Sequence, residues 1–130
     1  MQSEQDIETE CIDWLNSNAS RFGFKFPRGQ KARTRKNTVR HSGNGVADII
    51  LNYSSFGICW VVYLEVKTKR GKLRESQELF RDRIREQSGF FYVVRSVEDC
   101  MEALMDVDIQ IPKKIVEAYR RHQEIEEIPF

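Results

Sequence analysis

The stretch from Ile58 to Val94 constrains the fold more than any other part of this 130-residue chain. Ile58 to Lys67 is rich in β-branched and aromatic residues and reads as a strand. Arg74 to Ser88 reads as a helix. Leu73, Gln77, Phe80 and Ile84 share one of its faces, and Gly89 acts as the stop. Phe90 to Val94 is a short apolar run of the kind buried on both faces of a sheet. Such a strand–helix–strand unit requires a parallel pair joined by a right-handed crossover. Val46 to Leu51 is a further apolar run, separated from Ile58 by the turn-rich segment 52–57, and the two runs predict an antiparallel hairpin. Parallel and antiparallel pairing together give an α/β class: a mixed β-sheet flanked by α-helices.

The flanking segments follow the same logic. Ser3 caps a helix over 3–16, with Glu4, Asp6 and Glu8 in its first turns and Ile7, Cys11, Trp14 and Leu15 on one stripe. Phe22, Phe24 and Phe26 alternate as a short strand that Pro27 stops. Arg28 to Lys36 is polar loop or irregular strand, and Ser42 to Gly45 is a glycine turn. Ser96, with Asp99 three residues on, starts a helix that runs to about Met105, and Pro112 opens a last amphipathic helix to about Glu124. Trp14, Phe22, Phe24, Cys59 and Cys100 are assigned to the core.

The length fits a single domain, 1–130. No apolar run is long enough to span a membrane. Three scattered cysteines, none in a C-x-x-C pair, argue against a disulfide framework and against structural zinc, and so for a reducing, intracellular setting. The net charge of +1 conceals a segregation. No acidic residue lies between Asp13 and Asp48, a window that holds Arg21, Lys25, Arg28, Lys31, Arg33, Arg35, Lys36, Arg40 and His41, whereas the last third of the chain is acidic. A basic segment of this kind concentrates a polyanion on one face; the plainer alternative is a solvated loop.

Three charged residues interrupt the apolar runs. Asp48 lies within Val46–Leu51, and Glu65 and Lys67 end the strongest strand. Strand side chains alternate, so Glu65 and Lys67 share a face and Val66 takes the other. If the hairpin aligns Asp48 with the end of the second strand, Asp48 and Glu65 converge, and two close carboxylates repel unless a cation lies between them. Hard oxygen donors suit magnesium or manganese. Gln77 occupies the inward stripe of its helix, where a buried amide needs hydrogen-bond partners, either in a strand backbone or in a polar site beside Lys67. The competing reading is a surface ion pair at a strand end.

Gly45-Val46-Ala47-Asp48, Leu64-Glu65-Val66-Lys67, Leu73-Arg74-Glu75-Ser76-Gln77 and Gly89 to Val94, in this order, resemble the PD-(D/E)XK nuclease superfamily, and within it the VRR-NUC group, over about residues 3–98. Ala47 stands where that group usually has proline, a turn position and not a ligand. The resemblance implies a restriction-endonuclease-like core with a C-terminal helical extension over about 99–130. It implies Asp48, Glu65 and the Val66 carbonyl as ligands of Mg2+ or Mn2+, Lys67 as the catalytic lysine and Gln77 as its support. An acid of the first helix joins them, either Glu4 or Glu8. Arg33, Arg35, Lys36, Arg40, His41 and Lys69 are the candidate nucleic-acid contacts.

The expected activity is metal-dependent phosphodiester hydrolysis in DNA, with branched, flap or Holliday-junction-like substrates, by a homodimer. A stand-alone domain of this kind is typical of phages and their hosts, which would place it in a bacterial cytoplasm. Two alternatives stand beside it: a non-catalytic DNA-binding or assembly module that keeps the fold, and a nuclease acting on RNA.

Overall fold

A computed structural model describes residues 2–24, 27–31 and 46–126. Along the chain run α1 (Glu4–Ser17), a 3-10 turn (Ala19–Phe22), β1 (Arg28–Lys31), β2 (Ile49–Ser55), β3 (Ile58–Val66), α2 (Glu75–Glu86), β4 (Phe90–Val94) and α3 (Val97–Glu126). The four strands form one sheet in the order β1-β2-β3-β4. β1 with β2 and β2 with β3 are antiparallel, and β3 with β4 is parallel. The expected mixed α/β sheet is therefore present, with the parallel pair on either side of α2 as the strand–helix–strand reading requires.

Alternation along the strands sorts the helices onto two faces. Ile49, Leu51, Tyr53, Val62, Leu64, Val66, Phe90 and Val94 point to one side, where they form the main core with Ile7, Cys11 and Leu15 of α1 and Cys100, Leu104, Val107 and Ile111 of α3. On the other side Phe80 of α2 packs edge-on against Tyr63 and Phe91, with ring centroids at 5.0 and 6.1 Å. Glu65, Lys67 and Gln77 belong to this second, α2-covered face.

Local chemistry fixes the element ends. Ser3 Oγ accepts the Asp6 N–H and Asp6 accepts the Ser3 N–H, a reciprocal cap at the start of α1. Asn16, near the end of α1, exchanges both amide hydrogen bonds with the Gly29 backbone (2.9 and 3.1 Å) and so ties α1 to β1. At the start of α3 Ser96 Oγ accepts the Asp99 N–H, and the Asp99 carboxylate accepts the Arg95 N–H at 2.8 Å.

Several expectations are corrected. No strand covers Phe22 to Phe24. Ala19–Phe22 is a 3-10 turn, and Phe22 is 58% exposed although its ring lies against Trp14. Phe26 and the glycine turn 42–45 lie outside the described residues. Strand β2 begins at Ile49 and continues through Ser55, leaving only Phe56 and Gly57 as the hairpin loop. Both have positive φ (56° and 72°), the conformation whose twist matches a two-residue hairpin. Cys59 is exposed, not core, because α2 covers the opposite end of β3. The two C-terminal helices are one, with Pro112 inside it. Its first half packs into the main core as far as Ile111.

Candidate functional site

Ile49 pairs with Leu64, so Asp48 and Glu65 occupy the next position of the same antiparallel ladder and face the same side. Regular pairing stops there. The Asp48 carboxylate takes over, accepting the Val66 N–H at 2.9 Å where a strand carbonyl would otherwise stand. The N–H and C=O of one strand residue project to the same side, so the Val66 carbonyl faces the Asp48 edge. One residue later the direction alternates: the Lys67 N–H donates to Val94 on the β4 side. Glu65 and Lys67 are buried, at 1% and 6% exposure, on the face covered by α2. Two carboxylates, a backbone carbonyl and a lysine thus lie at the edge of the sheet where β2 begins and β3 and β4 end. A surface ion pair does not describe this arrangement.

Gln77 is 2% exposed, and its Oε1 accepts the Arg74 N–H at 2.8 Å. Its carbonyl end therefore caps its own helix and fixes the loop arriving from Lys67. The inward position was legible in the sequence; the partner, a backbone N–H of the preceding loop, was not. Glu4 is exposed on α1. Glu8 is half-buried, with its Oε1 4.0 Å from Lys31 Nζ on β1, beside the strand that carries Asp48. Among the described residues no three His, Cys, Asp or Glu side chains come together to hold a metal, so neither helix acid completes a trio with Asp48 and Glu65. Lys69 is exposed in the loop after Lys67. Arg33, Arg35, Lys36, Arg40 and His41 lie outside the described residues.

The donor set fits a hard divalent ion. Magnesium commonly takes one or two carboxylates, keeps several waters and completes its shell with substrate phosphate, so it does not require a cage of protein acids. Asp48, Glu65 and the Val66 carbonyl supply oxygen only, with no thiolate or imidazole to favour zinc or copper. The two buried thiols, Cys11 and Cys100, belong to the main core on the other face of the sheet. Cys100 is held above the usual thiol range by its hydrogen bond with Cys11 and by burial.

Sequence reasoning did not anticipate Arg95. Its Nη1 donates to the carbonyls of Thr68 (2.5 Å) and Gly71 (2.8 Å), with that of Lys69 at 3.4 Å. The signal that was available is the density of cations in the loop it holds: Lys67, Lys69, Arg70, Lys72 and Arg74 within eight residues.

Comparison with known proteins returns one family: the model described as the VRR-NUC domain matches residues 3–98. No curated protein and no solved structure matches.

Proposed function

Because the chain belongs to the VRR-NUC domain family, part of the restriction-endonuclease-like nuclease superfamily, we propose that it is a divalent-metal-dependent endonuclease that hydrolyses phosphodiester bonds in DNA, with branched substrates preferred. The observation that carries this reading is the carboxylate of Asp48 closing onto the Val66 backbone, beside Glu65 and Lys67 on a buried strand end. Asp48, Glu65 and the Val66 carbonyl would hold Mg2+ or Mn2+. Such an ion, when bound, supplies Lewis acidity toward a phosphoryl oxygen and lowers the pKa of water. Glu65, already desolvated, binds a cation without first giving up bulk hydration. Lys67, held by the same strand, orients the attacking water and stabilises charge developing on the phosphoryl oxygens. Gln77 keeps the loop after Lys67 in register. The active unit is a homodimer.

Cleavage of linear, flap and four-way DNA substrates with manganese, magnesium or EDTA tests the reading. Cutting is expected with either metal, and loss of cutting in EDTA. Asp48→Asn and Glu65→Gln are expected to abolish it while the circular dichroism spectrum is kept. Full activity in either variant overturns the site. Binding without cleavage of any DNA favours the non-catalytic module, and selective cleavage of RNA in the same panel assigns the substrate there.

A further inference from the structure

We propose that Arg95 is a positioning residue that sets the loop 68–74 as a second phosphate-binding element beside the site, with Lys69, Arg70 and Lys72 as its contacts to the nucleic-acid backbone. The inference rests on the nuclease reading above. The loop follows Lys67 directly and is fastened at both ends. At its start the Arg95 guanidinium binds the Thr68 and Gly71 carbonyls, and at its end Gln77 Oε1 binds the Arg74 N–H. Between them the Gly71 N–H donates to the Thr68 carbonyl at 3.0 Å, closing a turn. A Cβ on Gly71 would lie 3.2 Å from Thr68 Oγ1 and 3.5 Å from Lys67 Cβ, so the turn folds back onto the lysine itself.

A loop that carries this much like charge repels itself, which favours extension into solvent. Arg95 supplies the missing constraint through carbonyl oxygens, which a guanidinium binds in a fixed planar geometry. The carboxylate of Asp99 takes the Arg95 backbone N–H, so this constraint begins at the start of α3. Lys69, Arg70 and Lys72 are exposed, and among the described residues no carboxylate lies within ion-pair distance of any of them. Their charges face solvent and are available to an external anion. A row of point cations without a base-reading pocket recognises phosphate, not sequence.

The test uses the full chain and a fluorescent DNA duplex in EDTA, which separates binding from cutting. Lys69→Gln with Lys72→Gln, both at exposed positions, should flatten the slope of log K against log salt by about 0.9 for each phosphate no longer neutralised. Arg95→Gln should weaken binding at low salt by about tenfold and flatten the slope in the same way. It should add nothing further to the slope in a background where Lys69, Arg70 and Lys72 are all replaced by glutamine. A purely structural arginine lowers the melting temperature but leaves the slope of the folded protein unchanged. An unchanged slope in the lysine pair, or fully additive effects of Arg95→Gln, overturns the inference even where the wild type binds and cuts. If Arg95→Gln does not fold, the lysine pair alone decides. No binding by the wild type overturns the nuclease reading and this inference together.

Discussion

Glu65 is 1% exposed, on a sheet face it shares with buried Lys67 and Gln77. Removing such a charge from water is expensive unless a cation or hydrogen bonds compensate it. If a divalent ion is that compensation, the ion stabilises the fold in proportion to its occupancy. At one hundred times its dissociation constant the gain is about 2.7 kcal/mol, or several degrees in melting temperature for a chain of this size. Manganese is expected to raise the melting temperature of the wild type and of Lys67→Ala, and not of Glu65→Gln or Asp48→Asn. Lys67→Ala should at the same time lose turnover by orders of magnitude, because the lysine acts on the substrate and not on the metal. A shift that survives in Glu65→Gln would remove that residue from the ligand set. The placement of Asp48 and Glu65 on one face of the hairpin was legible because strand alternation and antiparallel register leave a small choice of partners. What was not legible is that Asp48 replaces a strand carbonyl for Val66. Arg95 escaped notice because its role depends on which backbone carbonyls a loop turns inward.

Turn and cap positions show where sequence patterns mislead one element at a time. Gly89 reads as the residue that stops α2 in a left-handed conformation. It is Ser88 that takes positive φ (61°), with its N–H on the Arg85 carbonyl, while the Gly89 N–H donates to Ile84 at 2.8 Å. Glycine is required at 89 for space, since a Cβ would lie 2.7 Å from Ile84 Cγ2 and 3.0 Å from the Ile84 carbonyl. Opposite outcomes are expected from two small substitutions. Ser88→Gly should stabilise by about 0.5–1 kcal/mol by relieving the left-handed backbone. Gly89→Ala should destabilise by about 1–3 kcal/mol by forcing the cap open. Urea unfolding midpoints at constant slope check both. The full length of the hairpin's first strand escaped prediction for a similar reason: residues 52–57 have turn-forming composition, yet Tyr53 is buried and its hydroxyl donates to Asp108 on α3, which draws the strand onward. Pro112 should break a helix at about 3 kcal/mol. Ile111 and Ile115 on either side of it pack on the sheet, and α3 continues.

Strand β4 and α3 are also joined by the Tyr92 hydroxyl, which donates to Asp106 at 2.6 Å. Burial, that hydrogen bond and the nearby Asp106 charge raise the Tyr92 pKa well above its ordinary value of 10.0. The unfolded chain therefore loses this proton at lower pH than the folded one. The stabilisation is complete below about pH 10 and is lost as pH rises through the folded-state value. Tyr92→Phe should be less sensitive to alkali, so that its melting temperature falls more gently than that of the wild type above pH 10. Parallel curves would show that the tyrosine proton is not linked to folding.

Viewed whole, the molecule has a chemical end and an uncovered end. Asp48, Glu65 and Lys67 lie where β3 finishes, whereas the distal half of α3 lies beside the start of the same strand. The apolar side chains of α3 fall into two groups. Leu104 and Ile111 are buried in the chain's own core and Met101 and Ile115 pack against it, whereas Met105, Val116 and Tyr119 stay exposed, Tyr119 at 61%. From Pro112 to Ile125, about 20 Å of helix, no side chain is buried. Alongside it Ile58, Trp60, Ile115 and Ala118 line a groove of about 340 Å³, with Lys114, Glu117 and Arg121 at its rim. A rim with both signs of charge on one helix can be matched by the same helix from a two-fold-related copy, because each cation then meets a carboxylate of its equivalent. Such a dimer covers the apolar face and keeps both Asp48/Glu65 sites out of the interface. Light scattering at micromolar concentration should therefore give about twice 15.4 kDa, and Val116→Glu with Tyr119→Glu should give the single-chain mass with an unchanged circular dichroism spectrum. Because these side chains are already exposed in one chain, the paired substitution should not unfold it. A wild-type mass of 15.4 kDa together with full cleavage of four-way substrates at that concentration would make the single chain the active unit.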